Sequence, residues 1–351
     1  MTTADSGKRE HSRLFLIDGM AIAYRSYFAF IQRPLINSKG ENTSAIYGFV
    51  TFLNKILEDE DPDYIAVVFD THKPTFRHKA YKEYKATRQK MPEDMLSQLG
   101  TLKDVVRAYN IPVLELDGYE ADDIMGTLAT RAEKENVETF LVTSDKDFMQ
   151  LVSDKTKIYK PGKGGNEVEI VGVKGVLEKF GVPPHMVIDV LGLVGDTSDN
   201  VPGVHGVGEK TAIPLIVEYG SIEGVYKNID AILQKGLKQK LETNKDKAFL
   251  SKQLVTIHTD VPLEVDFHSL KADEKDTVSL IRLFENLEFK SLARRLREGG
   301  EQRPQEKTED SFPHPEDLSD ITKDNHTYKL VTTEKELAEV IKKLRQAREF
   351  V

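Results

Sequence analysis

Nine acidic residues, gathered in four short groups, are the part of this chain best suited to chemistry. Three aspartates close strand-like runs: Leu14-Phe-Leu-Ile-Asp18, Ile65-Ala-Val-Val-Phe-Asp70 and Thr139-Phe-Leu-Val-Thr-Ser-Asp145. Gly118-Tyr-Glu-Ala-Asp-Asp-Ile124 adds Glu120, Asp122 and Asp123 at the head of an amphipathic segment, Asp147 follows Asp145 closely, and Gly195-Asp-Thr-Ser-Asp-Asn200 supplies Asp196 and Asp199. Carboxylates brought together repel and raise one another's pKa, so such a cluster calls for a strong counter-charge. Oxygen-only donors suit hard cations, Mg²⁺ or Mn²⁺, that keep several waters. Two such ions about 4 Å apart activate water and stabilise the leaving oxygen in phosphodiester hydrolysis. Capping is the plainer reading for any single group, since an acid in a helix's first turn gains ~0.3–1 kcal/mol from the dipole. Asp145 alone would be an ordinary cap, and Gly195–Asn200 alone an ordinary turn. Together the nine exceed what capping requires.

The elements that must position these acids are legible from periodicity. Continuous apolar runs between helical segments read as strands buried on both faces, and open α/β sheets bind ligands at the carboxyl ends of their strands. From Arg13 to about Val152 strand and helix alternate, the pattern of an α/β fold with a mostly parallel, twisted central sheet flanked by helices. Pro161-Gly-Lys-Gly-Gly-Asn166 reads as a turn, and the segments after it have helical spacing. The expected division is a tail over 1–12, a catalytic α/β core over 13–192, a helical lobe over 193–298 and a Glu-, Gln- and Pro-rich linker over 299–325. Residues 326–351 hold one strand-like and one helix-like segment, too little to bury a core, and read as the start of a following domain. The alternative is a helix packed back on the main body.

Composition narrows the class. The 351 residues include no cysteine, which excludes disulfides, thiolate metal sites and thiol nucleophiles. The nine histidines are scattered, and Gly203-Val-His-Gly-Val-Gly208 lacks the Gly-Lys-Ser/Thr ending of a nucleotide-phosphate loop. No apolar run approaches the ~20 residues of a membrane span and Met1–Arg13 is polar, so a cytoplasmic protein with no membrane partner is expected. A net charge of −9 argues against a nucleic-acid partner only until its distribution is considered, because nine of the negative charges belong to the proposed site. His72–Lys90 holds seven Lys or Arg against one acid, Glu83, interleaved with Phe76, Tyr81 and Tyr84. Most such runs are solvated helix faces. Basic residues mixed with aromatics also suit single strands, with ~1–3 kcal/mol per stacked base.

The order of motifs is more specific than any one of them. Ile17-Asp-Gly19, Tyr24-Arg25, Val68-Phe-Asp70, Phe76-Arg77, Tyr84-Lys-Ala-Thr-Arg88, Gly118-Tyr-Glu-Ala-Asp-Asp123, Ser144-Asp-Lys-Asp147 and Gly195-Asp-Thr-Ser-Asp-Asn200 resemble, over Arg13 to Arg297, the 5′ nuclease domain of bacterial DNA polymerase I. This is a branch of the flap endonucleases, with a PIN-like fold. The resemblance implies a metal-dependent 5′-3′ exonuclease and flap endonuclease of DNA replication and repair, acting on 5′ flaps and RNA–DNA primer junctions. It further implies a bacterial, nucleoid-associated protein whose polymerase domains lie in the same chain, the segment at 326–351 opening a 3′-5′ exonuclease-like domain.

Site roles follow from the same resemblance. Asp18, Asp70, Glu120 and Asp122 correspond to ligands of a first Mg²⁺ or Mn²⁺, and Asp123, Asp145, Asp147, Asp196 and Asp199 to those of, or around, a second. Residues 72–95 correspond to a helical arch, expected to be mobile without DNA because its repelling charges have little apolar burial. There Lys85 and Arg88, with Arg25 and Arg77, would hold the scissile phosphate, Tyr84 would stack on a base, and Lys82 would touch DNA. Val201–Ala212 corresponds to a helix-three-turn-helix, a helix-hairpin-helix element in which Gly203, Gly206, Gly208, Lys210 and Thr211 grip duplex beside a K⁺ ion. Pro214 would bend the following helix if it falls beyond the first turn. Asp123→Ala or Asp145→Ala is expected to abolish cleavage and spare DNA binding. A free-standing flap endonuclease and a non-catalytic junction binder remain the alternatives.

Overall fold

The structure is a computed structural model that describes residues 11–162 and 168–299. The expected linker beyond Gly299 and the following domain lie outside the described residues. Six strands, β1 (Arg13–Asp18), β2 (Tyr64–Val68), β3 (Val113–Leu114), β4 (Glu138–Val142), β5 (Thr156–Pro161) and β6 (Val168–Val171), form one sheet in the order β3-β2-β1-β4-β5-β6. The first five are mutually parallel, and β6 runs antiparallel to β5. In β1, Leu14 and Leu16 feed one hydrophobic layer while Phe15 and Ile17 feed the other, and all four are fully buried. Burial on both faces is why these strands read as unbroken apolar runs.

The helices in chain order are α1 (Gly19–Ala29), α2 (Ser44–Asp59), α3 (Phe76–Ala80), α4 (Glu93–Leu96), α5 (Gln98–Ala108), α6 (Ala121–Lys134) and α7 (Val173–Phe180). They continue as α8 (Val187–Val194), α9 (Glu209–Tyr219), α10 (Ile222–Lys227), α11 (Lys235–Thr243), α12 (Lys245–Val255), α13 (Thr277–Asn286) and α14 (Lys290–Arg297). One layer joins the sheet to α1, α2, α5, α13 and α14, and the other joins it to α6 and the helical lobe from α7 to α12. No described helix is long and apolar enough to cross a membrane.

Topology brings the acids together. The chain leaves β1 for β2 and β3, then recrosses to pair β4 with the opposite edge of β1, so the strand order switches beside the carboxyl end of β1. Ligands of open α/β sheets bind at such a switch point. Asp18 is the last residue of β1, whereas β2 stops at Val68 and β4 at Val142, so Asp70 and Asp145 sit on the loops just beyond their strands.

Three expectations are corrected. The Gly-rich stretch leads into a sixth strand that periodicity does not reveal, because Val168, Glu169 and Ile170 are all exposed. The basic segment is no continuous helical arch: α3 and α4 are short, with turns between them from Lys82 to Thr87. Nor does it lack burial, since Arg77 and Tyr84 are 2% and 4% exposed. Pro214, by contrast, falls beyond the first turn as the sixth residue of α9, and the helix continues to Tyr219 with Leu215 and Ile216 buried.

Candidate active site

Asp18, Asp70, Asp122 and Asp145 line a crevice of ≈ 560 Å³ together with Lys85 and Arg88. Asp18 caps α1, its Oδ1 accepting from Ala21 N at 2.9 Å while Oδ2 accepts from Thr143 Oγ1 at 3.1 Å. Burial, with the charges of Asp70 and Asp145 adding to it, pushes its carboxyl up to about 6 despite those bonds. Asp70 Oδ1 accepts from Ala121 N at 2.8 Å and so ties the end of β2 to the start of α6. Asp122 is raised well above the usual carboxylate range, first by burial and then by Asp145 and Asp18. Asp145 caps a short 3₁₀ turn over Lys146–Leu151 by accepting from Asp147 N at 2.9 Å; its side chain is open to solvent at the crevice mouth, yet enclosure by the surrounding protein, followed by the charges of Asp199 and Asp196, raises it. Asp147 is raised by burial, then by Asp145 and Asp196, and its buried Oδ1 has no hydrogen-bond partner.

Four carboxyl groups that resist ionisation, one with an orphaned oxygen, fit a hard divalent cation. Among the described residues no three acidic or imidazole groups are gathered tightly enough to enclose one ion. A cation that retains several waters needs only one or two direct carboxylates, so the donor set and the loose spacing are compatible.

The remaining acids face cations. Asp196 accepts from Ser198 N at 2.7 Å and pairs with Lys146 Nζ at 3.0 Å; although burial opposes it, these partners hold it below the ordinary carboxylate value. Lys146 was not anticipated, although its place between Asp145 and Asp147 was a signal for it. Glu120 accepts from Lys85 Nζ at 2.7 Å and Tyr84 Oη at 3.0 Å. Asp199 accepts from Arg88 Nε at 2.9 Å and Nη2 at 2.5 Å, with Lys85 Nζ at 3.8 Å. Lys85 itself has φ +57°, a left-handed backbone that side chains rarely adopt. Burial pulls its ammonium pKa down, but Glu120 and Asp199 more than offset this and leave it raised.

Asp123 is not placed to bind metal. It is fully buried, accepts from Arg77 Nη1 and Nη2 at 2.7 and 2.8 Å, and takes Glu120 N and His258 N at 3.0 and 2.9 Å, so both oxygens are occupied. Arg77 in turn donates to the carbonyls of Leu254 and Thr256, joining α3 and α6 to the end of α12. It is therefore a buried strut and not a phosphate contact. Tyr84, buried with its hydroxyl on Glu120, is no stacking platform in this conformation. Arg25 donates to the carbonyls of Pro161, at 3.3 Å, and Gly162. Of the four expected phosphate-side cations, Lys85 and Arg88 line the crevice, and Lys82 is exposed near them in sequence.

The turns between α8 and α9 bring backbone close to backbone. Gly203 has φ +58°, and a Cβ there would sit 2.5 Å from the Val194 carbonyl. Gly206 (φ +75°), Gly208 and Lys210 are exposed, and Thr211 N donates to Gly208 O at 2.9 Å in the first turn of α9. Amides at such a helix start favour phosphate.

Comparison with known proteins agrees with this arrangement. A family described as "5′-3′ exonuclease, N-terminal resolvase-like domain" matches residues 13–181, and "5′-3′ exonuclease, C-terminal SAM fold" matches residues 182–278. DNA polymerase I of Bacillus subtilis is 43% identical over 316 residues, which cover 90% of this chain and 36% of the relative. The thermostable DNA polymerase I of Thermus filiformis is 43% identical over 304 residues, 87% of this chain and 35% of the relative. The chain thus spans about a third of the length of these relatives. Among solved structures, the T5 5′-exonuclease with divalent zinc bound has TM-score 0.58 at 20% identity, covering 79% of this chain and 98% of its own. The catalytic core of Rad2 in complex with DNA substrate has TM-score 0.54 at 20% identity, covering 79% and 88%, and both likenesses bear on the fold. Two matched domains in sequence over residues 13–278, on a sheet whose switch point gathers carboxylates, mean that this chain belongs to the 5′-3′ exonuclease family.

Proposed function

We propose that this 5′-3′ exonuclease domain is a structure-specific, two-metal nuclease that hydrolyses phosphodiesters at 5′ flaps and RNA–DNA primer junctions. The observation that carries the reading is the crevice in which under-compensated carboxylates face Lys85 and Arg88. Asp18, Asp70, Glu120, Asp122, Asp145, Asp147 and Asp199 would hold Mg²⁺ or Mn²⁺, with Asp196 beside them. Bound there, such ions lower the pKa of water and neutralise charge on the leaving oxygen. Lys85 and Arg88 offer donors to a phosphate entering the same crevice, where low dielectric strengthens each contact. Asp18 and Asp145 are held by capping bonds to Ala21 N and Asp147 N, so they are oriented before substrate arrives. The α8–α9 turns would grip duplex without reading sequence, assisted by K⁺ on the turn carbonyls. We further propose that the domain is the N-terminal module of a nucleoid-associated DNA polymerase I.

Single-turnover cleavage of a 5′-flap duplex tests this reading. Mg²⁺ should support cutting that EDTA abolishes, and Asp145→Ala should remove it while duplex binding persists. Full activity of Asp145→Ala would refute the metal assignment, and binding without any cleavage by the unaltered protein would establish a junction binder.

A further inference from the structure

Lys85, Arg88 and Tyr84 pack on two of the acids themselves. Lys85 Nζ lies 2.7 Å from Glu120 Oε1, and the Tyr84 hydroxyl lies 3.0 Å from Oε2. Arg88 makes two bonds to Asp199 Oδ1. The backbone joins in: Lys85 N donates to Asp199 O at 2.9 Å, and Asn200 Nδ2 donates to Glu83 O at 2.7 Å. The segment 83–88 is therefore fastened to Glu120 and to the 196–200 loop by side chains and main chain together, with Lys85 held in a left-handed conformation that costs on the order of one fold-change of ten in population. A strained residue persists only where its surroundings over-determine it, and here the determinants are carboxylates of the proposed metal site.

Resting on the proposed metal site, we infer that the Lys85–Glu120 and Arg88–Asp199 pairs form a latch that a divalent cation opens by competing for the same carboxylates. In the metal-free protein the two side chains supply the positive charge that Glu120 and Asp199 need. A cation that neutralises those acids removes the attraction that holds segment 83–88 down, and the left-handed strain at Lys85 favours release. The freed ammonium and guanidinium then face the crevice as donors for phosphate. Metal loading and availability of the phosphate-binding cations are in this way one event, and coupling between two such sites is reciprocal. The Arg77–Asp123 strut beneath the segment stays in place, because Asp123 is saturated and Arg77 keeps its bonds to it and to the carbonyls of Leu254 and Thr256. Arg77 Nη1, 3.3 Å from Glu120 Oε2, also leaves Glu120 one fixed counter-charge, so the base of the segment is held while its tip is released.

Hydrogen exchange of the amides of Tyr84, Ala86 and Arg88, in DNA-free protein with and without Ca²⁺, tests the latch, with calorimetry run in parallel to measure cation binding. Exchange at these amides should speed up about tenfold at saturating Ca²⁺, within the span usual for coupled sites. It should not do so in KCl of equal ionic strength. Lys85→Met should exchange fast without Ca²⁺ and respond little to it. Ca²⁺ binding with unchanged or slower exchange overturns the latch and leaves the metal site standing, whereas no detectable Ca²⁺ binding overturns both.

Discussion

At the scale of single residues, the nine acids divide into those whose charge is opposed by their surroundings and those whose charge is compensated. Asp147 belongs to the first kind, with a buried oxygen that nothing donates to and two acidic neighbours. Asp147→Asn should accordingly raise the stability of metal-free protein, because a neutral amide escapes the desolvation of a buried charge and the repulsion of Asp145 and Asp196, while reducing cleavage by orders of magnitude. Thermal unfolding in EDTA beside a flap assay checks both halves, and a destabilised variant would contradict the reading. Asp123 belongs to the second kind. Its bidentate pair with Arg77 is nearly sealed from water, so Asp123→Ala or Arg77→Ala should each cost about 3–5 kcal/mol by leaving one buried charge alone. The double variant should lose far less than the sum, because both substitutions remove the same interaction. Loss of activity in Asp123→Ala would then report lost structure and not a lost metal ligand, and urea unfolding of the set separates the two.

At the scale of elements, the sequence was legible where one physical rule dominates. The runs at β1, β2 and β4 are apolar throughout because both faces are covered, and the acids at their carboxyl ends follow from the parallel topology. It was illegible where partners are distant in the chain. Nothing local to Arg77 announces bonds to Leu254 and Thr256, and nothing local to Tyr84 announces Glu120, so a run that looked like a solvated basic arch is a pinned turn. The strand β6 was missed because its exposed residues lack the apolar signature of the others. Between α8 and α9 the glycines carried the information, since Gly203 combines φ +58° with backbone contact that excludes any side chain. Gly203→Ala should cost about 1–3 kcal/mol, the scale of one strained backbone residue. It should weaken duplex binding while a flap already bound in excess is cut at nearly the normal rate; a slowed single-turnover rate at saturation would instead tie this turn to the chemistry.

At the scale of the whole molecule, the crevice makes stability depend jointly on pH and on divalent cation. Asp18 is raised from 3.8 to about 6, and Asp122, Asp145 and Asp147 are raised as well. A carboxyl whose folded pKa exceeds its unfolded value binds its proton more tightly in the folded state, so its favourable contribution is complete below 3.8 and is lost as pH rises through about 6. At 1.36 kcal/mol per pKa unit, the shift at Asp18 corresponds to something on the order of 3 kcal/mol across that window. Metal-free protein should therefore melt at a higher temperature near pH 5 than near pH 7, provided other acids have not begun to titrate. Mg²⁺ acts in the opposite sense, since it binds the ionised carboxylates and stabilises the fold by mass action, more strongly as pH rises. The melting temperature with saturating Mg²⁺ should consequently rise, or at least stop falling, between pH 5 and pH 7, and the two curves should converge at the acid end. Differential scanning calorimetry in EDTA and in Mg²⁺ over this range checks the crossing behaviour. Parallel curves would mean that the raised carboxyls and the cation site are not the same groups.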